Sequence, residues 1–345
     1  MSRPYHHTRL GFRNPPGSPP FYRFSFDMAK EALKFTVEMR RMAAKKDRLE
    51  HRWVETPEAA YNQMTQVVGK TNAVTWLGHA SFIVHMEGLT FLTDPFLTDY
   101  ASPVALPQLK RLVPSAIPIK KLPKLDMILL SHNHYDHMDA KALKELAKLQ
   151  PDVLVVVPLR LREYMIKYGF KKVVELDWYQ DVEEKGAVVS VVPAVHFSRR
   201  TAFDTNRTLW CGFVVRKKNR SFYFAGDTAY GEVFKEMGAI YGPIDVGLIP
   251  IGAYQPRSIM APVHATPEEG IAIAEDLKVK HMVGMHWGTI RLTSEPMLEP
   301  AQRFMRAETH VERVLLKIGE TRHFEELAIA PPDLHHRVGI ETEMA

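Results

Sequence analysis

Residues 130–137 of the chain read Leu130-Ser131-His132-Asn133-His134-Tyr135-Asp136-His137. Three imidazoles and a carboxylate follow an apolar run, Met127–Leu130, that predicts a buried strand. In open α/β sheets, ligands bind at the carboxyl ends of the strands. Alternate residues of an extended chain point the same way, so His132 and His134 share one side. The stretch predicts a metal site at a strand end, with ligands that suit zinc, iron or manganese.

Three more ligand-type residues stand at the ends of predicted strands. His196 follows the strand at 188–192, Asp227 follows the strand at 222–225, and His286 ends the strand at 281–285. One histidine or aspartate in such a place is usually structural. Four strand ends that all carry metal-binding residue types favour a common site. Two metal ions need more than four ligands, and these three residues complete a predicted two-metal set.

The composition is that of a globular protein. Of the 345 residues, 46% are apolar and 25% are charged, which excludes collagen-like, coiled-coil and wholly disordered chains. No apolar run approaches the roughly 18 residues of a membrane span, and the polar start does not resemble a secretory signal. A single cysteine, Cys211, excludes an internal disulfide and favours a reducing, cytoplasmic compartment.

The net charge of +5 lies at the N-terminal end. Residues 1–60 carry 12 lysines and arginines against 7 acidic residues, which leaves 33 of each in the remainder. A body with balanced charge argues against a nucleic-acid partner. Within the basic part, apolar residues at three- and four-residue steps predict an amphipathic helix over residues 28–50. This helix either lies on an anionic membrane surface or packs on the protein body.

The pattern of apolar and polar residues changes near Asn72. Residues 1–25 are rich in proline, so we expect them to be extended or poorly ordered. Beyond residue 72, short apolar runs alternate with helical stretches, including predicted helices at 159–168 and 231–241. Thr266-Pro267 marks another helix start, with a capping threonine and a proline in the first position. The histidines interpreted as incidental are those of the polar termini: His6, His7, His335 and His336.

We therefore predict an N-terminal extension over residues 1–71, a main domain over residues 72–325 and a tail over residues 326–345. The order of strands and helices in the main domain predicts two packed sheets with helices outside them, an α/β fold.

The motifs resemble the metallo-β-lactamase superfamily, and within it the N-acyl-phosphatidylethanolamine-hydrolysing phospholipase D family. The matching segments besides 131–137 are Thr75-Trp76-Leu77-Gly78-His79-Ala80, Phe91-Leu92-Thr93-Asp94-Pro95, 175–178, 224–228, 249–254 and His286-Trp287-Gly288-Thr289. They cover roughly residues 72–319. The resemblance implies an αββα four-layer sandwich, with a two-zinc site between the inner sheet edges.

The resemblance also implies a role for each site residue. One zinc would be held by His132, His134 and His196, the other by Asp136, His137 and His286, and Asp227 would bridge the two. A bridging hydroxide would cleave the substrate. The expected catalytic residues are Asp136, Asp227 and His264, of which His264 matches a family histidine near the substrate phosphate. We expect His79 and Asp94 to support the ligands by hydrogen bonds.

Further candidates have weaker sequence support. Arg199, Arg200 and Arg257 are candidate phosphate contacts, and Tyr135 and Tyr254 are candidates to line the site.

Two kinds of substrate stay open. A zinc phosphodiesterase acting on N-acyl-phosphatidylethanolamine predicts an apolar groove, partly walled by residues 103–123, and contact with a membrane surface. A lactonase, or a hydrolase of another soluble ester or sugar phosphate, predicts a small polar pocket. His134 argues against the di-iron redox relatives, which carry glutamate there, and the full ligand set argues against a non-catalytic binding protein. From the resemblance alone, a homodimer is also expected.

Overall fold

Two sheets of seven strands each form the centre of the protein in the computed structural model, which describes residues 4–20, 26–43 and 49–327. The first sheet contains β1 (Ala73–Gly78), β2 (Ser81–Met86), β3 (Leu89–Thr93), β4 (Met127–Leu129), β5 (Leu154–Pro158), β6 (Lys172–Leu176) and β14 (Thr321–His323). The second contains β7 (Asp181–Glu184), β8 (Ala187–Val192), β9 (Gly212–Lys217), β10 (Arg220–Phe224), β11 (Ile244–Pro250), β12 (Val279–Met285) and β13 (Glu312–Val314).

Each sheet is antiparallel on one side and parallel on the other. The first has the order β14-β1-β2-β3-β4-β5-β6 and becomes parallel from β3 onward. The second has the order β13-β12-β11-β10-β9-β8-β7 and is parallel from β13 to β10. Because β9 is antiparallel to both β8 and β10, these two strands run the same way as β11 and β12. Their carboxyl ends therefore meet at one edge of the sheet.

The described ranges also contain eight α-helices, some of which pack on the sheets. They are α1 (Phe26–Ala43), α2 (Pro57–Val67), α3 (Ala140–Leu149), α4 (Arg162–Tyr168), α5 (Val233–Tyr241), α6 (Arg257–Met260), α7 (Pro267–Asp276) and α8 (Glu299–Arg306). The first sheet contacts α2 and α4, and the second contacts α7, which packs between α5 and α8. Between the sheets, the rings of Phe91 on β3 and Phe222 on β10 meet edge to face, 5.4 Å apart. The predicted α/β sandwich is confirmed.

The described part of the chain also contains four short 3-10 helices. They span His51–Trp53, Pro107–Leu109, Ile119–Lys121 and Phe324–Glu326.

The predicted helix starts differ in accuracy. The start of α7 is confirmed: Thr266 Oγ1 accepts a hydrogen bond from the Glu269 amide, and the Glu269 carboxylate accepts one from the Thr266 amide. The helices predicted from residues 159 and 231 begin later, at Arg162 and Val233. Helix α2 was missed, although Thr56-Pro57 carries the same signal of a capping threonine and a proline.

The helix predicted over residues 28–50 is wrong at its C-terminal end. Helix α1 ends at Ala43, residues 44–48 lie outside the described ranges, and Leu49 and Glu50 are not helical. Leu49 is instead buried in the main core. Of the helices in the described ranges, none is both long and apolar enough to cross a bilayer.

The N-terminal histidines His6 and His7 are not incidental, and that interpretation was wrong. Their Nε2 atoms lie 2.6 and 2.7 Å from the two carboxylate oxygens of Asp177, which follows β6. His6 also stacks on Trp178 at a ring distance of 4.3 Å. Residues 4–20 thus pack on the protein body, mainly as turns and extended chain. The predictions for His335 and His336 concern residues outside the described ranges, as does most of the predicted tail.

Candidate metal centre

The site lies where strands of both sheets end. The first sheet contributes the loop after β4, with His132, His134, Asp136 and His137. The second contributes one residue after each of three strands: His196 after β8, Asp227 after β10 and His286 after β12. The structure brings all seven predicted ligand residues together, in two adjacent groups.

The first group consists of His132, His134, His196 and Asp227. Their ligand-type atoms all lie within 4.8 Å of one another. His134 Nδ1 is 2.9 Å from His132 Nε2 and 3.2 Å from His196 Nε2. Asp227 Oδ2 faces the same point, 3.8 Å from His132 Nε2 and 3.7 Å from His196 Nε2.

The second group consists of His79, Asp136, His137 and His286. Asp136 Oδ2 lies 2.9 Å from His79 Nε2, 3.5 Å from His137 Nε2 and 3.7 Å from His286 Nε2. Asp227 reaches this group as well, with Oδ2 3.1 Å from His137 Nε2 and Oδ1 3.1 Å from His286 Nε2. Asp227 therefore stands between the two groups, where a bridging ligand would stand.

The unsatisfied atoms of the site fit metal ions. Among the described residues, His137 Nε2, His286 Nε2 and Asp227 Oδ1 are buried and form no hydrogen bond. The 3.1 Å contact between His286 Nε2 and Asp227 Oδ1 lacks hydrogen-bond geometry. A buried polar atom without a partner costs about 1–3 kcal/mol, and here three converge on one place. Imidazole nitrogens with carboxylate oxygens are a donor set for zinc, iron or manganese. The two groups are thus able to hold metal ions.

Hydrogen bonds orient three of the imidazoles toward the centre. Nδ1 of His137 bonds to Asp94, Nδ1 of His132 bonds to Ser131 Oγ, and Nδ1 of His196 donates to the carbonyl of Val263, at 2.6, 2.8 and 2.8 Å. In each case Nε2 is left to face the site. Metal-bound histidines usually have such a partner on the second nitrogen.

Burial and charge act in opposite directions on the pKa of His137. Burial favours the neutral ring, but the nearby carboxylates of Asp227, Asp136 and Asp94 raise the pKa well above its ordinary value. Burial likewise opposes ionisation of Asp227, while His137 and His286 hold its pKa well below the usual range. The carboxylates of the centre are therefore ionised at neutral pH.

His79 belongs to the second group, where its ring contacts the carboxylate of Asp136. Its backbone adopts a left-handed conformation with φ of 56°, and its amide donates a 2.6 Å hydrogen bond to Thr289 Oγ1. Burial, and next the charge of His286, lower its pKa to about 3, so the ring is neutral. The neutral ring can donate through Nε2 to Asp136 and orient that carboxylate.

His264 lies beside both groups. Its ring is 5.1 Å from that of His196 and 5.3 Å from that of His286, and its Nδ1 forms no hydrogen bond to any residue in the described ranges. Burial lowers the pKa of His264 well below its ordinary value, although the charge of Asp227 acts to raise it. The ring is therefore neutral and partly open to solvent.

The remaining candidate substrate contacts, three arginines and two tyrosines, differ in which groups their side chains touch. Arg257 forms two hydrogen bonds to the Glu269 carboxylate, at 2.8 and 2.9 Å, so its guanidinium is already paired. Arg200 lies over the ring of Tyr135 at 4.0 Å, next to the metal-site loop, and Arg199 lies over Phe197. Tyr254 is buried and donates to Glu299.

Comparison with known proteins agrees with this geometry. The model of the beta-lactamase superfamily domain matches residues 90–287. The chain belongs to this superfamily. N-acyl-phosphatidylethanolamine-hydrolyzing phospholipase D 1 of Caenorhabditis elegans is 39% identical over 240 residues, which cover 66% of this chain and 67% of that protein. The mitochondrial N-acyl-phosphatidylethanolamine-hydrolyzing phospholipase D of Saccharomyces cerevisiae is 35% identical over 236 residues, covering 66% of this chain and 50% of the yeast protein.

The matches thus span about two thirds of the nematode relative and half of the yeast one. Among solved structures, the metallo hydrolase Igni18 of Ignicoccus hospitalis superposes with a TM-score of 0.54 at 22% identity, over 73% of this chain and 97% of Igni18. The resemblance that the sequence motifs indicated is confirmed, as is the metallo-β-lactamase fold. The chain is a member of a superfamily of metal-dependent hydrolases with residue clusters able to bind metal ions.

Proposed function

We propose that this protein is a two-zinc phosphodiesterase that hydrolyses N-acyl-phosphatidylethanolamine-type phospholipids. Water and the lipid would yield phosphatidic acid and an N-acylethanolamine. The observation that carries the proposal is the position of Asp227, whose two oxygens face both metal-binding groups. The identity of 39% to a relative named for this reaction supports the choice of substrate.

The proposed ligands divide as the two groups do. His132, His134 and His196 would hold one ion, Asp136, His137 and His286 the other, with Asp227 shared. When bound, such ions neutralise the negative charge of a phosphodiester and make hydroxide available near neutral pH. Asp136 and Asp227 would each attract and position several of the proposed histidine ligands, because each carboxylate lies within 4 Å of more than one imidazole.

His264 is proposed to contact the substrate phosphate. The Nδ1 atom of its neutral ring has no hydrogen-bond partner among the described residues. The ring stands beside the two metal-binding groups and is not one of the seven proposed ligands. A neutral imidazole so placed can donate a hydrogen bond to a phosphate oxygen.

An apolar cluster beside the site supports a lipid substrate. Phe96, Ala101 and Ile290 form a small cluster apart from the main core, and Leu109, Tyr135 and Leu292 pack against it partly exposed. Tyr135 joins this cluster to the metal-site loop. Leu109 belongs to the predicted groove wall at 103–123, and the 3-10 helix that contains it contacts α1. Acyl chains would pack along this surface.

Helix α1 is proposed to contact the membrane surface. Leu33 and Val37 on α1 are 66% and 42% exposed, one turn apart. Arg40 and Arg41 in the last turn are exposed as well. An exposed apolar stripe next to basic residues fits the interface of an anionic bilayer. The same helix contacts α6, which leads to His264, so lipid would be delivered close to the site.

The test combines metal analysis with a substrate panel. We expect two zinc ions per chain and release of phosphatidic acid from N-acyl-phosphatidylethanolamine in mixed micelles. A soluble phosphodiester and a set of lactones serve as competing substrates, and protein carrying Asp227→Ala, purified in parallel, controls for contaminating lipases. Two metals with turnover of soluble substrates alone would discard the lipid and favour the lactonase or soluble-ester alternative. Reconstitution of metal-free protein with zinc, iron or manganese tests the metal.

A further inference from the structure

The N-terminal segment 4–20, here called the strap, packs against loops beside the metal centre. It lies outside residues 90–287, which the superfamily domain matches. Its first turn is tied to Asp177 by His6 and His7. Further along, the amide of Phe12 donates a 2.8 Å hydrogen bond to the carbonyl of Asn206. The strap therefore contacts both the chain after β6 and the loop that follows His196.

Close contact with that loop requires glycine at one strap position. A Cβ atom on Gly11 would lie 1.9 Å from the Asn206 carbonyl oxygen, well inside any van der Waals distance. The absence of a side chain lets the strap backbone lie directly on the loop. The contacts of His6, His7 and Phe12 hold the first part of the strap on the protein body. They therefore also limit where the residues that follow Phe12 can lie.

Asn14 then reaches the metal ligand His196. Its Oδ1 accepts a 3.0 Å hydrogen bond from the His196 amide and another of 3.0 Å from Nε1 of Trp210. Both partners can only donate through these nitrogens, so the atom of Asn14 that faces them is the oxygen. The contact joins residues 182 positions apart.

The amide of His196 has no partner in a strand. Strand β8 ends at Val192, four residues earlier, so the ladder of the sheet does not fix His196. The ring is oriented through Nδ1 by the Val263 carbonyl, and the preceding residue, Val195, is held by Thr228 and Ala229. The other contact that holds the His196 backbone is the hydrogen bond of its own amide to Asn14. His196 is completely buried. Without Asn14 this donor would be left unsatisfied next to the centre.

We infer that Asn14 is a positioning residue for His196, so that the strap completes the metal centre although it lies outside the matched domain. The inference rests on the proposed role of His196 as a ligand. Loss of the Asn14 acceptor would let the His196 backbone move to find another partner, and Nε2 would move with it. Residues that orient metal ligands typically change metal affinity by about 10–100-fold when replaced.

The test compares Asn14→Leu, which has a similar volume and no acceptor, with Asn14→Asp, which keeps the acceptor oxygen. His7→Gln is the matched control, because it perturbs the strap at a place remote from His196. Metal-free protein is loaded with Co²⁺, and affinity is measured by competition with a chelator. The visible absorption of bound Co²⁺ reports the ligand geometry, and unfolding of the metal-free proteins reports stability separately.

We expect Asn14→Leu to weaken one of the two Co²⁺ sites about tenfold or more and to change its absorption. Asn14→Asp should restore both properties, and His7→Gln should leave both as in the wild type. If Asn14→Leu binds Co²⁺ with wild-type affinity and spectrum, the inference is overturned. It is also overturned if His7→Gln weakens the site as much, since the strap would then act through stability alone. If Asn14→Leu does not fold, Asn14→Ser, whose hydroxyl is too short to reach, replaces it with the same criteria.

The outcome separates this inference from the proposed function. Wild-type protein that binds two Co²⁺ ions but does not cleave N-acyl-phosphatidylethanolamine would remove the proposed substrate and leave the role of Asn14 open to the same measurement. Wild-type protein that cleaves the lipid, with Asn14→Leu unchanged in Co²⁺ binding, would remove the role of Asn14 alone.

Discussion

Asp94 accepts a 2.6 Å hydrogen bond from Nδ1 of His137 and, through its other oxygen, a 2.7 Å hydrogen bond from the Ser131 amide. One fully buried carboxylate thus fixes both the ring and the backbone of the metal-site loop. Burial raises the pKa of Asp94, and His137 and Ser131 counteract that shift. The pairing leaves Nε2 of His137 directed at Asp227 and Asp136.

Replacing Asp94 with asparagine is expected to weaken metal binding by about 10–100-fold, because the amide can no longer accept equally well from the His137 ring and the Ser131 amide. The measurement is a chelator competition on protein reconstituted with Zn²⁺. Asp245→Asn is the control, since Asp245 accepts from Ser221 on the far part of the sheet. Unchanged affinity in Asp94→Asn would show that the hydrogen bond does not matter for the ligand.

Asp227→Ala is expected to abolish hydrolysis and to lower the metal content below two ions per chain. Its two oxygens face both groups, so no other side chain can replace it. Loss of a single preorganised electrostatic group already costs about 10²–10³-fold in turnover, and we expect at least this effect. Metal analysis and activity are measured on the same preparation. Full activity in the variant would contradict a mechanism with two metal ions.

The clustering of the proposed ligands was predictable from the sequence because of a simple geometric fact. His132 follows an apolar strand of the first sheet, and His196, Asp227 and His286 follow apolar strands of the second sheet that run in one direction. The carboxyl ends of these strands meet at the site. The end of a predicted strand is therefore enough to place a proposed ligand at the site, without knowledge of how the core packs. The strong strands were predictable for the same reason. The three-residue edge strands β13 and β14 are too short to carry a pattern.

Contacts between distant backbone and side-chain atoms were not predictable. Asn14 meets the His196 amide across 182 residues, and Thr289 meets the His79 amide across 210. Neither pairing leaves a spacing or a periodicity in the sequence. The role of His6 and His7 was missed for the same reason, because their partner Asp177 lies 170 residues or more away.

His264→Ala is expected to lower turnover by about 10²–10³-fold, the usual cost of losing one positioned hydrogen-bond donor, and to leave both metals bound. The ring lies beside the two groups, and the proposed ligands are all present without it. Metal content and kcat are measured together. His310→Ala is the control, because His310 is exposed and lies near Glu275. Wild-type kinetics in His264→Ala would remove this residue from the site.

Leu33→Ser combined with Val37→Ser is expected to reduce sedimentation with anionic vesicles several-fold, since both side chains are exposed on α1 and apolar contacts drive interfacial binding. Deletion of residues 1–50 is a poorer test, because it also removes Asn14 and the buried Leu49. Ile240→Ser, an exposed apolar position on α5, is the control. Equal vesicle binding by the double variant and the wild type would rule out α1 as the contact.

The hydrogen bonds of His6 and His7 to Asp177, here called the clasp, predict that the free energy of unfolding falls at acidic pH. Burial raises the pKa of Asp177, but hydrogen bonds from His6, His7 and the Trp178 amide outweigh this effect, so the folded pKa lies below the ordinary value of an aspartate. A group with a depressed folded pKa stabilises the protein above its unfolded pKa, and this contribution is lost as pH falls through the folded value.

Between pH 5 and about pH 3, metal-free wild type should therefore lose more of its free energy of unfolding than Asp177→Asn. Urea unfolding at both pH values measures the difference, and Asp181→Asn, at the exposed start of β7, is the control. An equal acid dependence in wild type and Asp177→Asn would mean that the clasp contributes nothing to stability through this carboxylate.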